Sequence, residues 1–474
     1  LAQSKEQILK LSKYNIWLDE SEDIKLCYNC ISSGFAEFDP FTYNLLHDIT
    51  QENIDCNSLD DETKEKVKEL GSGNILIHDG LDELMDFRIR MQANKHKSKT
   101  LGLTVLPTMD CNFGCNYCFE EKSHTRMDDT TAENLLKYIV SRLKTNEYKS
   151  IGLAWFGGEP LLEFERIVSL SDKIIGLCKD KDISYSSSMI SNCWLLTPEK
   201  AKMLSERKVT GIQVTLDGPP STHDKRRITI AGGPTFDKLI EIIKICSPFI
   251  PMIIRVNIDL ENSKLMDEFF KSIKPLKGLR GISLYPGFLH SNATKICSSI
   301  EGTCLDVPGY ARLTHEFNKA LIDNGFNLSW YPRSSPSQCC ATSPHSCVIQ
   351  PNGMLCRCWD QVGQTGESYS SINEPDFFNG ENYYKWILYD PNTIEECRDC
   401  IYFPLCKGGC PARRIPATTD FMDTKPGERC VSLKYNIRDM LKLYYDNFIN
   451  HEKLMENTSQ NKLTNSLELR QGCL

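Results

Sequence analysis

The chain has 474 residues, a formal net charge of −8, and 40% hydrophobic and 25% charged residues. That length exceeds what one hydrophobic core organises, so two or three domains are expected. The acidic balance leaves no basic footprint for nucleic acid. No apolar run reaches membrane-spanning length and no signal-like stretch stands near the start, so no membrane partner and a cytoplasmic location are expected.

Residues 1–98 read as a small α+β accessory domain. Residues 14–19 and 23–31 form two strands around the polar turn 20–22, and 35–39 form a third. Asp39 ahead of Pro40 is a good helix start. Residues 62–70 and 81–92 read as further helices. Cys27 and Cys30 make a Cys-x2-Cys pair, but both fall in a predicted strand with no second pair nearby. Buried thiols are expected there rather than zinc. Residues 94–100 are polar and basic, a linker.

From Leu101 the pattern alternates strand and helix. Strands are expected at 101–107, 151–156, 183–190, 211–216, 252–258 and 281–285. Helices are expected at 128–143, 160–177, 198–206, 235–245 and 263–273. Six such units over residues 99–330 predict an α/β domain with a parallel sheet and right-handed crossovers. Sites in such folds gather at the carboxyl ends of the strands.

The chemistry-bearing residues fall at those ends. After the first strand comes Cys111-Asn112-Phe113-Gly114-Cys115-Asn116-Tyr117-Cys118. A [4Fe–4S] cluster takes four thiolates. This loop offers three, so one iron would stay open for a ligand, as at a catalytic metal. A zinc knot or three buried cysteines is the alternative. After the second strand comes Gly157-Gly158-Glu159-Pro160, whose glycines admit close backbone approach. Ser191-Asn192-Cys193 follows the third strand. Leu216-Asp217-Gly218-Pro219 ends the fourth and leads to His223-Asp224 and Arg226-Arg227. Arg255 and Asn257 lie on the fifth.

Residues 331–446 are cysteine-rich. The chain has 22 cysteines, and without a secretory context their clustering points to metal rather than to a disulfide framework. Cys397-x2-Cys400-x5-Cys406-x3-Cys410, then Cys430, is the most specific spacing. Cys339, Cys340, Cys347, Cys356 and Cys358 lie upstream, with Gly353 in an Asn-Gly turn between two short strands. A helix is expected after Cys430, to about 450. Residues 447–474 read as a polar tail, and Cys473 within it as no ligand.

The first cysteine loop, Cys-x3-Cys-x-aromatic-Cys with Tyr117 in the aromatic place, resembles the signature of the radical S-adenosylmethionine (SAM) superfamily. The resemblance implies a partial (β/α)6 barrel with a [4Fe–4S] cluster on Cys111, Cys115 and Cys118. SAM would be chelated at the open iron and cleaved to methionine and a 5′-deoxyadenosyl radical. Gly157, Gly158, Glu159 and Pro160 resemble the motif that holds the SAM amino group. Asn192 sits in what resembles a Thr-Asn-Gly element, with Cys193 replacing glycine. Arg227 is the implied partner of the SAM carboxylate, and Asp217 and Gln213 are ribose-side candidates. Arg255 and Asn257 are further cofactor candidates, or else polar barrel interior.

Gly353-x4-Cys358 with the later cysteines resembles the SPASM domain, which holds two auxiliary [4Fe–4S] clusters, making three in all. By that resemblance Cys397, Cys400, Cys406 and Cys430 hold one. Cys410 joins Cys358 and an upstream cysteine in the other. Cys339 or its neighbour Cys340 serves there, with Cys347 as fourth ligand or that iron open; Cys356 shares a strand face with Cys358. A zinc site on any one quartet is the alternative.

The resemblance spans about 101–435. It implies an enzyme acting on peptides, with a low-potential electron donor of flavodoxin or ferredoxin type. Sulfatase-maturating enzymes carry Asp directly after the cysteine matching Cys358. Here Trp359 stands there and Asp360 follows, which is more similar to the maturases of ribosomally made peptides. In those, a strand-rich N-terminal domain docks the precursor's leader, a match for strand addition. The expectation is a peptide maturase that forms a thioether cross-link, with Asp360 either its base or a surface carboxylate. A sulfatase-type side-chain oxidase and a non-catalytic zinc scaffold are the alternatives.

Overall fold

The computed structural model describes residues 9–19, 21, 24–51, 58–120, 123–289, 303–328, 330–364, 366–374, 380–415 and 429–449. The polar tail from 450 on, Cys473 included, lies outside them, as does most of the turn 20–22.

The N-terminal domain begins with strand β1 (Leu9–Leu11). Strands β2 (Asn15–Asp19), β3 (Lys25–Asn29) and β4 (Phe35–Phe38) form an antiparallel meander. Asp39 accepts a hydrogen bond from the Thr42 amide at 2.7 Å and starts α1 (Pro40–Gln51), as its position ahead of Pro40 requires. Helix α2 (Asp61–Ser72), strand β5 (Leu76–His78), which pairs with β1, and helix α3 (Glu83–His96) complete it. Both faces of the meander are covered. Cys27 packs with Leu9, Phe38 and Leu46 on one side, and Cys30 with Tyr14, Tyr28 and Phe87 on the other. The two cysteines thus belong to different apolar clusters.

Strands β6 (Thr100–Val105), β7 (Ser150–Trp155), β8 (Ser184–Ile190), β9 (Val209–Leu216), β10 (Met252–Ile258) and β11 (Ile282–Phe288) run parallel, in sequence order. Between them lie helices α4 (Asp129–Thr145), α5 (Phe164–Lys179), α6 (Pro198–Glu206), α7 (Pro220–Arg226), α8 (Phe236–Cys246) and α9 (Met266–Ser272). In β6 and β7 every second residue is buried (Leu101, Leu103, Val105; Ile151, Leu153, Trp155). Those side chains pack against Leu135, Ile139, Ile167 and Ile174 of α4 and α5. The other face, with small residues such as Gly152 and Ala154, is left to line the barrel interior. This is the expected partial (β/α)6 barrel.

After β11 comes helix α10 (Val307–Asp323), then β12 (Ser346–Ile349), β13 (Met354–Cys356) and β14 (Ser370–Ser371). β12 pairs parallel with β6, so the cysteine-rich region extends the barrel sheet to nine strands. Helices α11 (Glu381–Ile387) and α12 (Leu433–Tyr444) and two single turns, Glu395–Arg398 and Phe403–Cys406, follow.

The structure departs from the sequence reading at some ends. The helix expected over 160–177 starts as a 3-10 turn at Pro160–Glu163, and that over 263–273 as one at Asn262–Leu265. β9 begins two residues early, and β11 runs three residues on. Among the described residues no helix is long and apolar enough to cross a membrane.

Candidate active site

The cysteine loop is stapled from below. The Gly114 amide donates to Ile228 O at 2.7 Å, Asn116 N to Arg226 O at 3.3 Å, and Ile230 N to Asn112 O at 3.1 Å. The stretch after α7 therefore lies beside the loop, and Arg227 comes with it. From the other side, the β7 turn presses in. Gly158 N donates to Thr108 O at 3.2 Å and Glu159 N to Asp110 O at 2.8 Å. A Cβ on Gly158 would meet the Asp110 carbonyl oxygen at 2.2 Å. Gly157 adopts φ +116°, where L side chains are strained. Both glycines are required by this packing.

Glu159 is completely buried. Its carboxylate accepts from Leu161 N (2.9 Å), Ser191 Oγ (2.8 Å) and Asn192 N (2.7 Å). Burial raises its pKa against those hydrogen bonds. Three of about four acceptor positions are thereby taken, and Glu159 ties the β7 turn to the β8 turn. Asn192 Nδ2 donates to Asn112 Oδ1 at 2.7 Å and faces Cys111 Sγ at 3.8 Å. Cys193, in the place where the family element has glycine, takes φ +62°. The backbone keeps the left-handed conformation, at a cost of about 1–2 kcal/mol.

A polar cluster fills the barrel mouth. Tyr117 donates to Asp217 Oδ2, and its oxygen accepts from Arg227 Nη1 (2.9 Å) and Asn257 Nδ2 (3.3 Å). Asn257 Nδ2 also reaches Asp217 Oδ1 at 3.0 Å, and Arg255 Nε donates to Asn257 Oδ1 at 2.8 Å. Asp217 is fully buried; burial raises its pKa, opposed first by Arg227. Gln213 stands apart, accepting from Tyr285 Oη at 2.7 Å. The site residues from four barrel strands and the cysteine loop thus converge, Gln213 at their margin.

His223 positions Arg227. Its Nδ1 accepts from the Asp217 amide at 3.2 Å, so Nε2 carries the proton toward Thr235 Oγ1 at 3.0 Å. Thr235 in turn donates to Arg227 O. Two buried donors here lack any partner, Arg227 Nε and Asn112 Nδ2. A buried unpaired donor costs about 1–3 kcal/mol, so a carboxylate against Arg227 suits the SAM role. The residues around Arg227 fit SAM.

The cysteine-rich region closes the mouth. Trp359 lies against Phe156 with ring centroids 5.9 Å apart, and Arg413 sits over Phe288, the last residue of β11, at 5.5 Å. Trp359 and Asp360 occupy one 3-10 turn, Trp359–Gln361, and so point different ways. Asp360 faces Arg413 and Arg255; burial raises its pKa against both.

Among the described residues no three thiols converge closely enough to hold a metal ion, but the thiols of the cysteine-rich region fall into two electrostatic neighbourhoods. Cys406 feels the charge of Cys400, Cys397 and Cys430, and burial pushes its thiol up to about 11. Cys358 lies near Cys410 and Cys340, and Cys339 near Cys340 and Cys358. Cys340 is lowered to about 6, first by a hydrogen bond from Cys339. Arg357, 2% exposed, donates to the carbonyls of Ala341, Ser346 and Ser343 and shapes this loop. Cys347 is placed elsewhere. It pairs in register with Leu103, points with it into the core, and lies 3.5 Å from Tyr138 Oη. Cys356 faces Leu106 and Val348 in a separate apolar cluster. Of the upstream thiols, Cys339 and Cys340 are the ones linked electrostatically to Cys358. Cys178 and Cys246 are buried thiols, whereas Cys304 is disulfide-bonded.

Sequence reasoning passed over Ser191, Thr235, Tyr285 and Arg357 as site residues. Ser191 alone carried a signal, its place beside Asn192 at a strand end.

Residues 105–273 match the model of the radical SAM superfamily. The chain is 22% identical over 446 residues to the radical SAM cyclopropyl synthase TigE of Paramaledivibacter caminithermalis, covering 85% of this chain and 89% of that protein. It is 24% identical over 342 residues to a cysteine-type anaerobic sulfatase-maturating enzyme of Clostridium novyi, covering 67% and 90%. Among solved structures, native anSMEcpe with bound AdoMet and Kp18Cys peptide matches with a TM-score of 0.54 at 18% identity, over 75% of this chain and 99% of that one. Streptococcus suis SuiB bound to precursor peptide SuiA matches at 0.50 and 16%, over 87% and 98%.

Proposed function

We propose that this chain, an enzyme that carries a radical SAM domain within the fold of the SPASM-bearing enzymes, modifies a precursor peptide. The observation that carries this reading is extent. Similarity to the cyclopropyl synthase runs over 85% of the chain, whereas similarity to the sulfatase-maturating enzyme stops at 67%. The position after Cys358 adds support, with Trp359 where sulfatase maturation expects Asp.

Cys111, Cys115 and Cys118 would hold the SAM cluster. Cys397, Cys400, Cys406 and Cys430 would hold one auxiliary cluster, and Cys358, Cys410 and the Cys339–Cys340 pair the other. When bound, these clusters supply the electron that cleaves SAM and a sink for the electron left once the peptide closes its new bond. Arg227 takes the SAM carboxylate and is held there by Thr235 and Tyr117. The β7 turn presents its backbone and the remaining acceptor position of Glu159 to the SAM amino group. Phe156, buried, with Trp359 against it, lines the mouth beside the reacting carbon. Asp360, its pKa raised, takes the proton released as the bond forms. A thioether is the proposed product for a substrate with a free thiol. Ring closure between carbons is the second reading, favoured by the likeness to a cyclopropyl synthase. The leader would dock on the N-terminal meander by strand addition, and a flavodoxin or ferredoxin would deliver electrons.

The test is anaerobic purification, iron and sulfide assay, then incubation with SAM, reductant and candidate peptides. About twelve irons per chain are expected for three cubane clusters. A peptide lighter by two hydrogens, with its thiol no longer alkylated, is a thioether. The same mass with the thiol still alkylated is a carbon–carbon bond. Cys115→Ala should abolish 5′-deoxyadenosine production; undiminished production would sink the reading.

A further inference from the structure

A cavity of about 300 Å³ lies in the cysteine-rich region, with Gln338, Cys339, Tyr389, Cys406, Lys407 and Pro411 in its wall. Three buried polar atoms around it make no hydrogen bond: Gln338 Nε2, Tyr389 Oη and, beside Tyr389, Arg414 Nε. All three carry a proton to donate. Each idle buried donor costs about 1–3 kcal/mol, and three gathered at one cavity favour an acceptor there.

The thiols around them identify that acceptor. Tyr389 shares the cavity wall with Cys406 and Cys339, and Cys397, Cys410 and Cys406 act on its hydroxyl. Arg414 lies near Cys397. The backbone of this segment is held from another domain. Lys95 of α3, 5% exposed, donates to Ile387 O at 2.6 Å and to Tyr389 O at 3.0 Å. The Tyr389 backbone is therefore fixed, and among the described residues its hydroxyl has no hydrogen-bond partner.

We propose that Tyr389, flanked by Gln338 and Arg414, donates its hydroxyl proton to a sulfur of the cluster held by Cys397, Cys400, Cys406 and Cys430 and sets that cluster's reduction potential. This rests on the reading that the quartet holds a cluster. Reduction adds negative charge, and a hydrogen bond to sulfur stabilises the reduced form more than the oxidised form. Tyr389 is a positioning residue for electrons, not a catalytic one.

The experiment is a redox titration of full-length Tyr389→Phe, purified anaerobically and followed by electron paramagnetic resonance beside wild type. The ring packing is kept and only the hydroxyl is lost. At a fixed potential the reduced-to-oxidised ratio of one auxiliary cluster should fall several-fold, up to tenfold, which is 59 mV for one electron. The SAM cluster should titrate unchanged, and iron and sulfide should match wild type. If Tyr389→Phe loses iron, Gln338→Leu gives the same readout. Equal iron with unshifted potentials overturns the Tyr389 proposal and leaves the cluster reading standing. Wild type with about four irons overturns both.

Discussion

The tightest fit in the active site is at Gly158, where an added Cβ would stand 2.2 Å from Asp110 O and 2.6 Å from Met109 O. Both obstacles are backbone, one and two residues ahead of Cys111, and neither can swing aside as a side chain would. Gly158→Ala must therefore push the cysteine loop off the β7 turn and break the Glu159 N to Asp110 O hydrogen bond. The expected outcome is loss of about four irons, one cubane's share, with the auxiliary clusters retained; the iron-to-protein ratio checks it. Asp360 separates chemistry differently, since the charges acting on it are Arg413 and Arg255, and of these only Arg255 joins the Tyr117 cluster, through Asn257. Asp360→Asn should leave 5′-deoxyadenosine release near wild type while peptide product falls about a hundredfold, within the usual worth of a general base. Equal losses of both products would make Asp360 structural.

The β9–α7 turn contains a buried titratable group with a clear sign. His223 is 0% exposed, and burial, then Arg227, depresses its pKa well below 6.5. The folded form thus binds this proton less readily than the unfolded chain. The stability it contributes is complete above about pH 6.5 and is lost as pH falls from there toward the folded pKa. Between pH 7.5 and 6 the unfolding free energy should begin to fall, approaching about 1.4 kcal/mol per pH unit once the unfolded histidine is charged. Denaturant melts of His223→Asn at the same pH values should show a flatter slope; an unchanged slope would assign the acid sensitivity elsewhere. Such elements were legible to different degrees. β10 was readable to the residue because MIIRVNI lies between turns and alternates buried and open positions over its first five residues. α10 was missed although Asp306 caps it, accepting from Gly309 N at 2.7 Å, and Pro308 opens it. β12 has four residues, and no local pattern says that they add in parallel to β6. That pairing also decides Cys347, whose face is fixed by register with Leu103 and not by its spacing from Cys358. Spacing marked the candidate ligands of the first loop because three cysteines in eight residues need no tertiary partner. The upstream thiols depended on how Arg357 folds the loop around its guanidinium.

At the scale of the whole molecule, the N-terminal and cysteine-rich regions share one core. Tyr14, Ile16, Tyr28, Cys30, Phe87 and Met91 pack with Cys397, Phe403, Ile437 and Leu441. Phe87 meets Phe403 edge-on with centroids 6.3 Å apart, and Tyr331 Oη donates to Ser33 O at 2.6 Å. Lys95 adds two buried hydrogen bonds to the Tyr389 segment. A leader-docking module that could be removed without consequence would not be built into the wall of a cluster site. Deleting residues 1–98 strips the cover from Cys397 and Cys400 and exposes the apolar face of α12. The truncated protein should keep the iron of the barrel loop but lose about four irons from the quartet. Phe87→Ala tests the same contact without deletion. It removes a buried aromatic worth about 3–5 kcal/mol and should make the quartet's iron the first to leave on warming, followed by absorbance and iron assay. A truncated chain that retained all its iron and lost only peptide binding would instead make residues 1–98 a separable docking domain. The shared core would then be packing without influence on the metal.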